Sequence, residues 1–139
     1  MIMRMLAVAA LYFGLIFALG FVLGALRTGL LAAAPEVSRF HAVLVEAPIM
    51  LAASWFVCAF VIRRYLASST LAARAGMGGG AFLLLALSEL LLAMWLLGMT
   101  PMEHFRSFGE PSRALGLAAQ IVFGLFPLIQ PRGRMSIRT

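Results

Sequence analysis

Four apolar runs, each at least about 17 residues long, occupy most of the chain, at about 5–26, 41–62, 81–99 and 113–129. A helix rising 1.5 Å per residue needs about twenty residues to cross roughly 30 Å of hydrocarbon, and backbone polar groups inside lipid must be satisfied within the protein. The expected fold is therefore all-α, a polytopic membrane protein with a four-transmembrane-helix bundle as a single integral membrane domain over 1–139. Only 12% of the residues are charged, against about a quarter in soluble domains. No soluble domain is left over, so any active surface must lie between helices or in short loops.

The third run, AFLLLALSELLLAMWLLG, carries one glutamate, Glu89, at its centre. A charged carboxylate exposed to hydrocarbon costs at least about 3 kcal/mol, so Glu89 must be neutralised, paired or turned towards water. Ala86 and Ala93 share its helical face and offer a close packing surface. In the fourth run Gly116, Gln120 and Gly124 recur at i, i+4 and i+8, with Gln120 near the midpoint. A hydrogen bond between Glu89 and Gln120 at the membrane midplane is expected, and Ser54 and Tyr12 are the next candidates for this layer.

The first two runs carry a second constellation. Gly20, Gly24 and Arg27 fall on one helical face, while Glu46 and Pro48 lie near the start of the second run. Proline removes one backbone hydrogen bond and frees the carbonyl of Leu44, a plausible cavity wall beside a carboxylate. Antiparallel neighbours joined by a short loop bring Arg27 and Glu46 to similar depth, which predicts an ion pair. The first run is too long for a signal-peptide core and is expected to remain uncleaved.

Between the runs, Pro35, Glu36 and Ser38 announce the second helix. Arg74 and the GMGGG segment at 76–80 read as a flexible link to the third. Thr100, Pro101 and Glu103 form a capping box with a proline at the first helical position, predicting a short interfacial helix at about 101–107 between spans three and four. Ser112 is the expected cap of the fourth span.

Topology follows from the charges. Arg4, Arg63, Arg64, Arg74, Arg132, Arg134 and Arg138 share the side of both termini and face no acid there; Arg27, Arg39, Arg106 and Arg113 lie on the other side with Glu36, Glu103 and Glu110. The positive-inside rule then places both termini in the cytoplasm, with the tail PRGRMSIRT against anionic headgroups. The use of Arg without Lys and Glu without Asp suggests a GC-rich bacterial coding bias, hence a bacterial inner membrane. The arginines form no patch with interleaved aromatics, which argues against nucleic acid as a partner.

Cys58 stands alone inside an apolar run and reads as a buried thiol. His41 and His104 could meet Glu46 and Glu103 in a metal or haem site, but no helix carries a His/Glu pair at i, i+3 or i, i+4, so interfacial histidines are the stronger reading. No catalytic triad or phosphate loop is present; an enzyme would have to be a lipid-side one using Glu89, Glu46 or His104. In size and span count the chain is similar to small four-helix multidrug exporters, yet their key glutamate lies in the first helix and this first run has no acid. The leading expectation is a homo-oligomeric protein that binds or moves a proton, cation or small amphipathic ligand around Glu89, Gln120, Ser54, Glu46 and Arg27. Its rival is an accessory subunit of a larger membrane complex. No particular cofactor is implied.

Overall fold

The computed structural model describes residues 2–131. It contains α1 (Ile2–Ala33), α2 (Arg39–Tyr65), α3 (Leu71–Leu97), α4 (Pro101–Ser107) and α5 (Pro111–Ile129), with no strand among the described residues. All but α4 are long and apolar enough to cross a membrane. The starts of α2 and α3 are fixed by side-chain caps: Ser38 accepts from the His41 N–H and Thr70 from the Ala73 N–H. Gly98, at φ 62°, adopts the left-handed conformation that ends α3 without a Cβ clash. Two residues later the capping box of Thr100 and Glu103 starts α4.

The four long helices alternate in direction. α1 packs against α2 and α3, and α5 packs against the same two, so the ring order is α1, α2, α5, α3. The core lies along the axis of this ring, where Tyr12, Ile16, Cys58, Val61, Met77, Ala81 and Phe123 are buried. Phe21, Phe56, Phe60 and Trp95 point outwards. In a membrane these exposed side chains meet acyl chains and need no protein partner.

One difference from the sequence reading shapes the whole bundle: the GMGGG segment is helix, not a flexible link, and α3 begins at Leu71. Glycine in a helix costs about 1 kcal/mol relative to alanine where nothing else decides. Here close packing decides. A Cβ on Gly80 would lie 3.2 Å from the Ala9 Cβ of α1, and one on Gly78 would run into the Gly124 carbonyl of α5 and stand 3.3 Å from Pro127 Cδ. Between helices in lipid, where no hydrophobic force drives association, such small residues permit the backbone approach that holds the pair. The fourth span also starts earlier than expected: Glu110 occupies the cap position without a side-chain bond, and Pro111 opens the helix in place of the expected Ser112 cap. The expectation for the basic tail falls almost wholly on 132–139, outside the described residues.

The close approach is testable. Gly78→Ala should destabilise the bundle by about 1–3 kcal/mol through overpacking, whereas Gly79→Ala, whose Cβ meets nothing within 4 Å, should stabilise it by about 0.5–1 kcal/mol through helix propensity alone. Reversible denaturation in mixed micelles measures both, and equal effects would show that α3 does not touch α5 through Gly78.

Candidate functional site

Glu89 and Gln120 meet across the interface of α3 and α5. The Gln120 amide donates from Nε2 to Glu89 Oε1 at 2.6 Å, and both residues are half-buried. Ala93, one turn beyond Glu89, is buried and leaves room for the neighbouring helix. Glu89 Oε2 has no hydrogen-bond partner among the described residues and is not sealed inside the bundle. The arrangement thus holds one carboxyl oxygen and leaves the other without a partner among the described residues. Of the two glycines flanking Gln120, only Gly124 serves close packing, 3.2 Å from the Phe82 Cβ; a Cβ at Gly116 would meet nothing.

Arg27 and Glu46 pair between α1 and α2, Nη1 donating to Oε2, with the side chains 32% and 17% exposed. Gly20 closes this interface, its Cβ position 3.1 Å from Met50 Cε. Gly24 plays no such part: its Cβ position meets only Arg27 Nη2, at an ordinary contact distance of 3.7 Å. Pro48 lies inside α2, half a turn past Glu46. The two polar pairs occupy opposite edges of the ring and do not form one site. Ser54 is buried on α2, and no hydrogen bond joins it to Glu89 or Gln120 among the described residues.

Further polar contacts escape the sequence reading. Tyr12, fully buried, reaches across the ring to donate to the Phe123 carbonyl at 3.0 Å and stacks on the Phe123 ring, with Cys58 close to its hydroxyl. Arg74 is 1% exposed and donates from Nη1 to the Gln130 carbonyl at 2.8 Å, while the Gln130 amide donates to the Trp55 carbonyl at 2.9 Å. A cation placed on the last carbonyls of α5 complements that helix's dipole. The signal was present: once 71–80 is read as helix, Arg74, Met77 and Ala81 recur at i, i+3 and i+7 as one buried face.

The histidines lie apart. His41 is exposed beside Ser38; His104 is buried against Phe105 and Phe108. Among the described residues no three His, Cys, Asp or Glu side chains are placed to hold a metal. In α4, Glu103 accepts from the Thr100 N–H at 2.7 Å and from its hydroxyl at 2.9 Å, and the backbone bond leads in holding its carboxyl below the ordinary value of 4.5.

These features define a small four-helix membrane protein whose helices are joined by polar ties, one of them carrying a half-free carboxyl group. No family model, no curated protein and no solved structure matches the chain.

Two measurements check the ties. The losses in Arg27→Gln and Glu46→Gln should sum to more than the loss in the double variant, by a coupling of about 0.5–3 kcal/mol; additive losses would show that the pair contributes nothing. For Glu103 the folded carboxyl titrates below its unfolded value, so its contribution is complete above pH 4.5 and disappears as pH falls through the lowered value. Protection factors for amide exchange over Pro101–Ser107, taken relative to the intrinsic rate at each pH, should therefore fall on acidification, and Glu103→Gln should remove that fall.

Proposed function

We propose that the protein binds a proton or a small cationic, amphipathic ligand at Glu89, with Gln120 orienting the carboxyl group. The reading is supported above all by one observation: a glutamate inside an apolar helix, about two turns from its C-terminal end, keeps one oxygen unpartnered on the α3 and α5 face. A purely structural hydrogen bond would be served by a neutral amide in place of the acid; a titratable group at this depth adds the capacity to exchange a proton for a cation. The arginine asymmetry supports an orientation with both termini in the cytoplasm of a bacterial inner membrane. A bundle of four helices is small for a complete pathway, which favours assembly of several copies if ligand is moved across.

A second reading, a subunit of a larger membrane complex, draws on outward-facing glycines. Gly79 and Gly116 have open space where a Cβ would stand, a surface on which a partner helix can pack closely.

Reconstituted alone in vesicles, the protein should give proton or cation flux, or bind a cationic amphiphile. Glu89→Gln should lower this by about ten- to hundredfold, the loss of one charge-assisted contact of about 1.5–3 kcal/mol, with helix content and thermal transition retained. Neither flux nor binding in the parent, together with stoichiometric co-purification of another membrane protein, would decide for the subunit.

A further inference from the structure

Along the seam that holds Glu89 and Gln120, α3 and α5 enclose an apolar crevice of about 250 Å³ lined by Ala75, Gly78, Phe82, Ile121, Gly124 and Leu128, with Gly79 at its rim. Crevice and carboxyl group share one face. Ala75, Phe82 and Glu89 recur every seven residues on α3, and Gln120, Gly124 and Leu128 every four on α5, so the crevice runs away from the polar pair towards the end of the bundle where α3 starts and α5 ends. Its far wall at Ala75 lies about 21 Å along α3 from Glu89. The glycines create it: Gly78 and Gly124 bring the two backbones together at its floor, while Gly79 leaves its mouth open.

We infer that this seam takes a single-tailed amphipathic cation, such as a long-chain primary amine, with the ammonium group on Glu89 Oε2 and the alkyl tail along the crevice. The inference rests on the reading of Glu89 as a ligand-binding carboxyl group and adds the class of ligand. Charge complementarity selects the head, because the only acid on the described part of this seam is Glu89 and the amide of Gln120 already occupies its other oxygen. Shape selects the tail. The lining is almost wholly apolar, and Gly79, with open space where a Cβ would stand, leaves it uncovered on the outer face of the bundle. An ordinary phospholipid offers the same tail but brings a phosphate towards the carboxylate, which repels it.

The test uses a long-chain primary alkylamine carrying a diazirine near the end of its tail, photolysed with the full-length protein in phosphatidylcholine nanodiscs. Label should fall on peptides containing 75–82 and 121–128, compete with unlabelled dodecylamine at least about tenfold better than with dodecanol or dodecyl sulfate, and disappear in Glu89→Gln. Gly79→Leu, whose Cβ meets no neighbour within 4 Å, should fill the mouth of the crevice and remove the tail label while a short-chain amine still binds at Glu89. If Gly79→Leu keeps the label and Glu89→Gln loses it, the crevice assignment is wrong and the Glu89 reading survives. If Glu89→Gln keeps the label, or dodecanol competes equally, the crevice holds any acyl chain and the cation assignment fails. Absence of label from both segments, with a disulfide between two chains formed through Gly79→Cys, would overturn the inference and assign the face to a second copy.

Discussion

The approach of α3 to its two neighbours is the contact on which the other features depend. Gly80 against Ala9 sets the distance to α1, and Gly78 against Gly124 sets the distance to α5. Any side chain at Gly78 would push α5 outwards, and the Gln120 amide would lose the Glu89 oxygen it meets at 2.6 Å. The same separation lets Arg74 reach the final carbonyls of α5. Backbone proximity therefore comes first, and the polar bonds are made at distances it permits.

Three polar side chains inside the apolar layer have bonds suited to their chemistry, because an unsatisfied donor or acceptor there costs several kcal/mol. Arg27 is met by a carboxylate, Tyr12 by a backbone carbonyl, and Arg74 by the carbonyl end of a helix. Glu89 departs from this pattern. It has a neutral amide on one oxygen and nothing from the described protein on the other, although the amine-free face around it is apolar. That asymmetry separates it from the clasp at Glu46, where the arginine neutralises the charge internally.

The number of spans, the α4 capping box, the Arg27 and Glu46 pair and the Glu89 and Gln120 bond were all legible in the chain, since each follows from local periodicity or from helix length and direction. What was not legible depends on which helices become neighbours. The ring order puts α3 beside α1 instead of beside α2, and no local pattern records that choice. Consequently the GMGGG segment looked like a link, because isolated glycines disfavour helix, and only the presence of Ala9 and Gly124 opposite them reverses the preference. Arg74 was misplaced with it. The separation of the two polar pairs onto opposite edges was hidden for the same reason: depth is readable from position along a helix, whereas azimuth requires the packing partner.

The shortest span, α5, is tied to every other long helix: to α1 through Tyr12, to α2 through Gln130 and Trp55, and to α3 through both Glu89 and Arg74. Two of these bonds, from Tyr12 and Arg74, end on α5 backbone carbonyls, and a third uses the Gln130 amide at its terminus. Only the bond to Glu89 uses a side chain from the middle of α5. Helix docking and carboxyl chemistry are thereby distributed over different contacts, so Glu89 can gain or lose a partner while α5 stays held at its core carbonyl and at its end.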